Sequence, residues 1–359
     1  MNKIRVYINE GPLKNGNAFR GVGEYTRNLI EALGKKKNLR LVKANEDPEI
    51  VHYPYFDPFF LTLPLIKRRP TVVTIHDVIS LIYPEYYPKG IRGWLKFQIQ
   101  KFSLKSVAAV ITDSKSSKKD IINYLEFPEE RTFVIPLASG EEFKKIEAED
   151  LKLKVKKKYN LPERFILYVG DVNWNKNVEG LIRAFKHLIS TSEVSPRVKL
   201  GGPSTSEVKL FLVGKAFEDK NLPEMRLILQ LIKELNLIDK IKILGYVSTK
   251  DLVGIYNLAT VYCQPSFYEG FGLPVLEAMA CGCPVVAANA SSLPEICGKA
   301  ALMVDPYDIN DIAEKIWEVI SDKEIKDKLV RRGPAQAKQF SWEKTAYETY
   351  KVYQKVVGE

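Results

Sequence analysis

Short apolar runs alternate with longer segments of helical periodicity along most of the chain. Runs such as Ile4–Ile8, Thr71–Ile75 and Phe165–Gly170 are almost wholly apolar, which is typical of strands buried on both faces of a parallel sheet. Segments such as Val22–Leu33 repeat apolar residues every three to four positions on one face, which predicts a helix. Strands that alternate with helices predict an α/β fold built on parallel, doubly wound sheets.

The same patterns predict the other elements. Further strands are expected at Ile50–Tyr53, Ala109–Thr112, Arg131–Pro136, Lys209–Val213, Ile241–Val247, Thr260–Cys263, Pro284–Ala288 and Ala301–Val304. Further helices are expected at Gly90–Ala108, Lys115–Leu125, Val178–Leu188, Glu224–Asn236, Lys250–Leu258, Val275–Cys281, Ile309–Ile320, Ile325–Phe340 and Thr345–Val357. Two stretches rich in glycine or polar residues, Gly11–Gly21 and Thr191–Val208, are interpreted as loops.

Length and charge density predict how the chain divides into domains. The 359 residues exceed what one hydrophobic core ordinarily serves, which favours two domains. Residues Glu141–Lys158 are dense in charge and contain no predicted strand, so we interpret them as the linker. This predicts a first domain over residues 1–160 and a second over residues 161–340. The pattern Ser341-Trp342-Glu343-Lys344 predicts the cap of a further helix within residues 341–359.

The cysteines and the N-terminus favour a cytoplasmic protein. All four cysteines lie in the second half, without a Cys-x-x-Cys pair, and Cys281 and Cys283 are too close for an ordinary disulfide. The first residues run directly into a strand, which is not the pattern of a signal peptide. The longest apolar stretch, Phe59–Ile66, is too short to span a bilayer.

The formal net charge of +10 is unevenly distributed. The excess of lysine and arginine lies in residues 1–160, because residues 161–359 carry equal numbers of basic and acidic side chains. A basic half fits an anionic membrane surface or a phosphorylated acceptor, and it also fits a solvated surface that only aids solubility. Nucleic acid is not expected as a partner, because no nucleic-acid-binding motif accompanies the charge.

Two segments of the basic half combine apolar and basic side chains. Residues Gly90–Ala108 form one apolar face bordered by lysine and arginine, a pattern of membrane-surface helices and, more commonly, of helices that face a core. Of the two interpretations, the core helix is therefore favoured and the membrane-surface helix stays open. That face is made of Ile91, Trp94, Leu95, Ile99 and Phe102. The loop Pro54–Arg69, in which Phe59–Leu61 precede Lys67-Arg68-Arg69, is the stronger candidate for peripheral contact with a membrane.

The segment Cys263–Asn289 carries the clearest chemical pattern. A strand ends at Pro265, and Glu269-Gly270-Phe271-Gly272 follows as a loop whose glycines let backbone N–H groups approach a ligand. Pro274 suits the first turn of a helix, so Glu269 lies at the helix entrance and Glu277 about one turn inside it. Open α/β sheets bind ligands at the carboxyl ends of their strands, and helix N-termini favour anions. Carboxylates beside an anion are expected to bind hydroxyl groups, which indicates a nucleotide sugar.

Two turns in the first half have related geometry. Gly21 and Gly23 open a helix after the first strand, which lets a phosphate approach, although Thr26 stands where a dinucleotide fingerprint needs glycine. A plain strand–helix turn is the alternative. His76 follows Thr71–Ile75 at a strand's carboxyl end, where it either contacts a ligand or caps the adjacent helix.

The stretch from Glu269 to Val286 resembles the retaining glycosyltransferases of the GT-B fold that carry a Glu-x7-Glu motif. The spacing alone is not specific, since Glu141 and Glu149 share it. The specific feature is the filling, Glu-Gly-Phe-Gly-Leu-Pro-Val-Leu-Glu-Ala-Met-Ala-Cys-Gly-Cys-Pro-Val-Val, between two strands. The resemblance covers nearly the whole chain. It implies two facing Rossmann-like domains, the first for the acceptor and the second for a nucleotide sugar, with a C-terminal helix that crosses back.

The resemblance also implies a reaction and residue roles. A hexose would pass from a GDP- or UDP-sugar to a glycan or lipid-linked acceptor with retained configuration, without a metal or other cofactor. Glu277 would hold the ribose hydroxyls, Glu269 and His76 the donor sugar, and Lys176 the diphosphate. The other implied donor contacts are Gly21, Gly23, Val247, Phe271, Gly272 and Leu273. Resemblance of Thr74–Pro88 to mannosyltransferases of surface polysaccharide assembly favours GDP-mannose.

The turn after Gly170 departs from the family pattern. The family usually places an arginine and a lysine there, and Lys176 matches, but Asn175 stands at the neighbouring basic position and Asp171 follows the glycine. Either the diphosphate site is less positive than usual, or an arginine such as Arg20 completes it. A sugar-nucleotide epimerase or phosphorylase with two Rossmann-like domains and a weakly active sugar-nucleotide-binding protein therefore stay open as alternatives.

Overall fold

The structure is a computed structural model that describes residues 3–14, 21–191 and 207–358. The chain divides into two compact units: unit 1 comprises residues 1–138 and 340–359, and unit 2 comprises residues 139–339. Each unit contains a six-stranded sheet in which all paired strands run parallel. The predicted α/β fold with two doubly wound sheets is confirmed.

Unit 1 has its sheet in the strand order β2-β1-β3-β4-β5-β6. The strands are β1 (Ile4–Ile8), β2 (Leu39–Leu41), β3 (Ile50–Tyr53), β4 (Thr71–Thr74), β5 (Ala109–Thr112) and β6 (Thr132–Val134). The helices are α1 (Gly11–Lys14), α2 (Gly21–Gly34), α3 (Ile79–Ile82), α4 (Gly90–Leu104) and α5 (Lys115–Leu125), with a 3₁₀ turn at Glu129–Arg131. A last helix, α14 (Trp342–Val357), completes the unit.

Unit 2 has its sheet in the order β12-β11-β10-β7-β8-β9. The strands are β7 (Phe165–Val169), β8 (Lys209–Val213), β9 (Ile241–Gly245), β10 (Val261–Gln264), β11 (Val285–Ala288) and β12 (Leu302–Val304). The helices are α6 (Glu149–Tyr159), α7 (Val178–Thr191), α8 (Pro223–Glu234), α9 (Thr249–Leu258), α10 (Leu273–Ala280), α11 (Leu293–Cys297), α12 (Ile309–Ser321) and α13 (Lys323–Ala337). Two 3₁₀ turns lie at Trp174–Lys176 and Lys215–Glu218.

Both strand orders contain a point where the winding direction reverses. In unit 2 the chain starts at the centre with β7, proceeds through β8 and β9 on one side, and returns through β10, β11 and β12 on the other. The reversal therefore lies between β7 and β10, and in unit 1 it lies between β1 and β3. Crevices outside the carboxyl ends of strands at such points are the usual ligand sites of doubly wound folds.

The boundary between the units differs from the sequence-based prediction. Residues 149–159, interpreted as linker, form α6, which packs against α9 within unit 2. Only Val155 of this helix is buried, and it meets Gly254 of α9. A helix that buries a single apolar side chain has little apolar periodicity, which is why its charge density suggested a linker.

A buried polar network ties α14 into unit 1. His52 of β3 bonds the Tyr353 hydroxyl through Nδ1 at 2.7 Å and the Thr74 hydroxyl through Nε2 at 2.9 Å. Thr74 in turn bonds the hydroxyl of Tyr25 on α2 at 2.8 Å. Burial lowers the pKa of His52 to about 3, so the ring is neutral. At the start of α14, Ser341 accepts the N–H of Lys344 at 3.1 Å, as its capping pattern predicted.

The prediction that α4 is a core helix facing inward with its apolar stripe is wrong. The buried side chains of α4 are Gln100, Ser103 and Leu104. Gln100 Oε1 accepts three hydrogen bonds of 3.0 Å, from Thr62 N, Thr62 Oγ1 and Leu63 N, and its amide donates to the Leu63 carbonyl. These buried bonds hold the helix to the preceding loop, so its large apolar residues face outward.

Most other predicted elements appear within a few residues of their expected bounds. The sequence patterns missed β2 and the short helices α1, α3 and α11, which have too few residues to show periodicity. The predicted loop at Gly11–Gly21 begins with α1, and its residues 15–20 lie outside the described part. Most of the predicted loop at Thr191–Val208 likewise falls outside the described residues.

Candidate active site

An ion pair lies at the reversal point of the sheet in unit 2. Lys176 follows β7 in the turn Trp174–Lys176, and Glu269 follows β10. The ammonium Nζ of Lys176 is 2.7 Å from Oε2 of Glu269, and the Glu269 side chain is buried. The structure thus brings together two side chains that lie far apart in the sequence and were both predicted to contact the donor.

Further hydrogen bonds fix the Glu269 carboxylate and its backbone. Its Oε1 accepts from Gln264 Nε2 at 2.5 Å and from the Ser266 hydroxyl at 2.7 Å. The Glu269 N–H donates to Ser291 Oγ at 2.8 Å, and the Ser292 hydroxyl lies 3.1 Å from the Glu269 carbonyl. Because a buried carboxylate needs hydrogen-bond donors to offset its lost hydration, these contacts fix the orientation of the Glu269 side chain before any ligand binds.

Asn175 holds the loop that carries Glu269. Its side chain is 3% exposed, and its Nδ2 donates to the Tyr268 carbonyl at 2.9 Å. Its own carbonyl accepts the N–H of Phe267 at 2.8 Å. The asparagine that replaces the expected cation is therefore a structural residue, buried beneath the loop.

We expect Asn175→Arg to lower the free energy of unfolding by more than about 2 kcal/mol, because the guanidinium would enter a buried position built for a small amide. Asn173→Arg, in an exposed position of the same turn, is the matched control and should change stability little. Urea unfolding of both variants measures the difference. A stable Asn175→Arg variant with higher donor turnover would show instead that the site lacks positive charge.

Helix α10 begins with a glycine in the left-handed region. Gly272 has φ +111°, and a Cβ there would lie 2.7 Å from a Leu293 side-chain atom, so only glycine fits this approach. The N–H groups of Val275 and Leu276 bond the Gly272 carbonyl. Phe271, Gly272 and Leu273, predicted to supply donor contacts, therefore lie where the positive end of the helix begins.

Glu277 lies one turn inside α10 and is buried. Its Oε2 accepts a hydrogen bond of 3.1 Å from the hydroxyl of Tyr256 on α9. Burial and the Glu277 carboxylate raise the pKa of Tyr256 well above its ordinary value, so its hydroxyl stays a donor. The second predicted carboxylate is thus held on one side by a fixed phenol.

Val247 lies just after β9 and is buried. The neighbouring Tyr246 is exposed, and its N–H donates to Glu218 Oε1 at 2.8 Å. Gly245 has φ +64°, and a Cβ there would meet the same Glu218 side chain. Glu218 fixes this end of β9, a role that the sequence did not indicate because the two segments are distant along the chain.

Three of the predicted donor contacts lie in unit 1. Gly21 and Gly23 lie in the first turn of α2, and His76 follows β4. His76 Nδ1 is 2.6 Å from Asp113 Oδ2, and its Nε2 is 3.2 Å from the Pro54 carbonyl. Burial alone would lower the pKa of His76, but the Asp113 carboxylate and these hydrogen bonds raise it. His76 therefore does not act as a simple helix cap, since its ring is held by a buried acid.

The His76–Asp113 pair predicts a pH dependence of stability. Because folding raises the pKa of His76, the pair stabilises the fold fully below the unfolded pKa of about 6.5, as long as Asp113, whose own pKa is raised by burial, is still charged. This stabilisation is lost as the pH rises through the folded pKa of His76. Asp113→Asn should lower the free energy of unfolding by about 1–3 kcal/mol at acidic pH and by less at alkaline pH. Urea unfolding of the wild type and the variant at acidic and at alkaline pH measures this difference in stability. If Asp113→Asn lowered the free energy of unfolding equally at both pH values, the pair would not be charged.

Three aromatic rings, two of them from the segments that carry Lys176 and Glu269, stack on one another. Trp174 and Phe267 have ring centroids 4.8 Å apart, and Phe267 and Tyr307 are also 4.8 Å apart, with interplanar angles of 28° and 26°. Asn177, at φ 53°, donates through Nδ2 to the carbonyls of Pro265 and Pro306 and so joins the same three segments. The sequence analysis missed both the aromatic stack and the hydrogen bonds of Asn177. The one available signal was an asparagine directly after a turn, since asparagine is enriched among residues with left-handed backbone conformation.

The described residues contain neither a metal-binding cluster nor a membrane-spanning helix. No group of three or more histidine, cysteine, aspartate or glutamate side chains within them is placed to hold a metal ion. No helix in the described part of the chain is long and apolar enough to cross a membrane.

Comparison with known families matches both halves of the chain. The family described as glycosyl transferases group 1 matches residues 149–336. The family described as glycosyltransferase family 4 matches residues 18–138. The first match includes Lys176, Glu269 and Glu277, so the site built around the ion pair lies within the matched domain.

Curated relatives include mannosyltransferases of Escherichia coli. The chain is 34% identical to O-antigen chain mannosyltransferase B over 302 residues, which cover 84% of this chain and 74% of that protein. It is 30% identical to the serotype-specific mannosyltransferase WbdA over 341 residues, which cover 92% of this chain and 40% of WbdA. The chain thus spans less than half the length of this second relative.

Solved structures show the same fold at low sequence identity. Sucrose-phosphate synthase from Thermosynechococcus elongatus aligns with a TM-score of 0.72 at 20% identity, over 99% of this chain and 100% of that one. Anabaena HepE in complex with UDP and glucose aligns with a TM-score of 0.71 at 17% identity, over 98% and 99% of the two chains. Together with the family matches, these findings confirm the family and the fold that the resemblance implied: the chain belongs to the glycosyl transferases group 1 family and has the fold of GT-B glycosyltransferases.

Proposed function

We propose that the protein is a retaining, metal-independent hexosyltransferase that moves mannose from GDP-mannose to a glycan or lipid-linked acceptor in the synthesis of a surface polysaccharide. The names of the relatives support mannose as the sugar and O-antigen chains as the kind of acceptor. The observation that carries the proposal is the Lys176–Glu269 ion pair at the reversal point of a sheet, in a chain whose fold matches that of Anabaena HepE in complex with UDP and glucose.

In this proposal Lys176 neutralises the donor diphosphate. Glu269 holds the ammonium group in place, so the positive charge needs no rearrangement as the leaving diphosphate gains negative charge. Together with the N–H groups at Phe271, Gly272 and Leu273, this lysine supplies the charge that a metal ion provides in other transferases. That is our reason for proposing a reaction without a metal.

The carboxylates of Glu269 and Glu277 are proposed to bind different hydroxyl groups of the donor. Glu269 Oε1 accepts two protein hydrogen bonds and Oε2 accepts one, so an acceptor position on Oε2 is proposed for a sugar hydroxyl. Glu277, with Tyr256 on one side, is proposed to bind the ribose hydroxyls. Val247 is proposed to contact the nucleobase, and the donor-binding roles of His76, Gly21 and Gly23 rest on the family resemblance.

The test is cleavage of candidate donors by the purified protein. We expect GDP release from GDP-mannose to exceed UDP release from UDP-glucose, to persist with a chelator, and to give a product of retained configuration by NMR when acceptor is supplied. Cleavage of UDP-glucose alone would overturn the assignment of donor. An isomerised sugar nucleotide would identify an epimerase, and tight binding without cleavage would identify a binding protein.

We further propose a cytoplasmic location at the inner face of a membrane, because a lipid-linked acceptor presents its sugar at such a surface. The net charge of +10, carried by the half of the chain that contains most of unit 1, supports this location. Of the three basic residues Lys67, Arg68 and Arg69, the first is engaged within unit 1, because Lys67 Nζ donates to the Ser103 carbonyl at 2.6 Å and to Ser103 Oγ at 2.8 Å.

A further inference from the structure

Helix α4 presents its apolar stripe to solvent. Ile91 is 81% exposed, Trp94 57% and Phe102 65%, and Leu95 and Ile99 of the same stripe are also exposed. The spacing of these residues, at three, four, eight and eleven positions from Ile91, places them on one side of the helix. Contiguous large apolar side chains of this kind are uncommon on a surface that meets only water.

The loop before α4 extends this surface. Phe60 and Leu61 are exposed, and Lys96 of α4 places its Nζ 5.3 Å from the centre of the Phe60 ring. Phe59 lies against Phe97 with ring centroids 5.9 Å apart. The loop and the helix are also joined by the buried Gln100, so they form one surface. We name this surface, comprising Phe60, Leu61 and the five apolar residues of α4, the α4 face.

The internal contacts of unit 1 do not require the α4 face. The opposite side of the helix is already satisfied, because Gln100, Ser103 and Leu104 are buried and Phe97 packs against the core of the unit. Lys67 secures the same side through Ser103 and Ser106. Much of the surface of the stripe therefore stays outside the packing of the unit, and its composition calls for another explanation.

Charge distinguishes among the possible occupants of this face. Between Tyr86 and Thr112 the chain carries five basic residues and no acidic one; the five are Lys89, Arg92, Lys96, Lys101 and Lys105. A second copy of the chain docked face to face would place like charges against one another, which disfavours such a dimer. An anionic bilayer offers acyl chains to the apolar stripe and phosphate groups to the basic border.

We propose that the α4 face is the surface by which this protein lies on an anionic phospholipid membrane. Helix α4, roughly 22 Å long at 1.5 Å per residue, rests in the plane of the headgroups with Trp94 and Phe102 inserted. Arg92 and Lys96 contact lipid phosphates. The inference deepens the proposed function, since it explains how a transferase without a described membrane-spanning helix reaches a lipid-linked acceptor, and it names the part of unit 1 responsible.

The experiment is co-sedimentation of the full-length protein, without donor, with vesicles of phosphatidylcholine alone or mixed with phosphatidylglycerol. We expect binding only to the mixed vesicles, weakened strongly in about 0.5 M salt, where exposed charges are screened within a few ångströms. Trp94→Ser with Phe102→Ser should lower the partition coefficient by at least about tenfold, because two large side chains lose their insertion. Arg92→Ser with Lys96→Ser should lower binding and flatten its salt dependence.

A matched control removes two exposed apolar residues from unit 2. Leu227→Ser with Ile238→Ser should leave vesicle binding unchanged, since both lie outside the α4 face. All variants should unfold close to the wild-type temperature, because the replaced side chains are exposed, apart from the half-buried Lys96. The variants should also still cleave the donor in solution. Vesicle binding and donor cleavage are independent measurements. If the wild-type protein binds vesicles but cleaves no donor, the proposed function is refuted and the inference about the α4 face stands.

Three results would overturn the inference. Equal binding to neutral and anionic vesicles would remove the role of charge, and absence of binding would remove the membrane. If the wild-type protein is a dimer in solution and Trp94→Ser with Phe102→Ser makes it monomeric without changing vesicle binding, a second copy is the occupant of the α4 face.

Discussion

Lys176→Ala should lower the turnover of donor by about 10²–10³, the usual loss when one preorganised charge or donor at a developing anion is removed. The Lys176 ammonium is held 2.7 Å from Glu269, beside the loop that leads into α10. Charge accumulates on the diphosphate in the transition state more than in the bound donor. The variant should therefore depress kcat far more than it raises KM. Steady-state kinetics with GDP-mannose measures both.

The controls separate charge from structure. Removing one partner of a buried ion pair can cost about 3–5 kcal/mol of stability, so the variant must first be shown to be folded. Lys176→Arg keeps the charge and should recover part of the turnover, and Lys233→Ala, at an exposed lysine of α8, should have no effect. If folded Lys176→Ala binds GDP as tightly as the wild type and keeps its kcat, the diphosphate lies elsewhere.

Glu277→Ala should weaken the affinity for the nucleotide by about 1–3 kcal/mol, or roughly five- to 150-fold, because a charged hydrogen-bond partner of the ribose is lost. The carboxylate is buried in α10 and oriented by the Tyr256 hydroxyl at 3.1 Å. Free GDP should lose as much affinity as GDP-mannose, since the proposed contact is to the nucleoside part. Isothermal calorimetry with both ligands measures the two losses.

Tyr256→Phe is the matched variant for Glu277. It keeps the carboxylate and removes only the hydroxyl that orients it, so we expect a smaller loss of GDP affinity than in Glu277→Ala. If Glu277→Ala loses affinity for GDP-mannose while it binds GDP normally, Glu277 contacts the sugar and not the ribose. Unchanged affinity for both would remove it from the donor site.

The organisation of unit 2 and the core of its candidate site could be read from the sequence. Apolar runs such as β7 and β10 are buried along their whole length, so period and length were enough to place them. The parallel topology then forces the residues after β7 and β10 to the same edge of the sheet. The family resemblance is what assigned Lys176 and Glu269 to one site, and the topology supplies the physical reason for it.

The parts that could not be predicted depend on contacts between distant segments. Asn175 appeared as a missing cation, but its role is set by the Tyr268 carbonyl, which comes near only when β7 and β10 pair. The apolar stripe of α4 suggested a core helix, because periodicity gives the direction of a stripe relative to the helix and not relative to the core. The buried Gln100 decides that orientation, and its partners lie in the preceding loop.

The return of α14 to unit 1 has a consequence for the order in which the halves mature during synthesis. Unit 2 is continuous from residue 139 to residue 339, so every strand and helix it needs has been made once α13 emerges from the ribosome. Unit 1 at that moment still lacks Tyr353, the buried partner of His52, and the helix that packs on α2. At about 5–20 residues per second, its completion waits a further second or more. The half encoded first is therefore the half that finishes folding last.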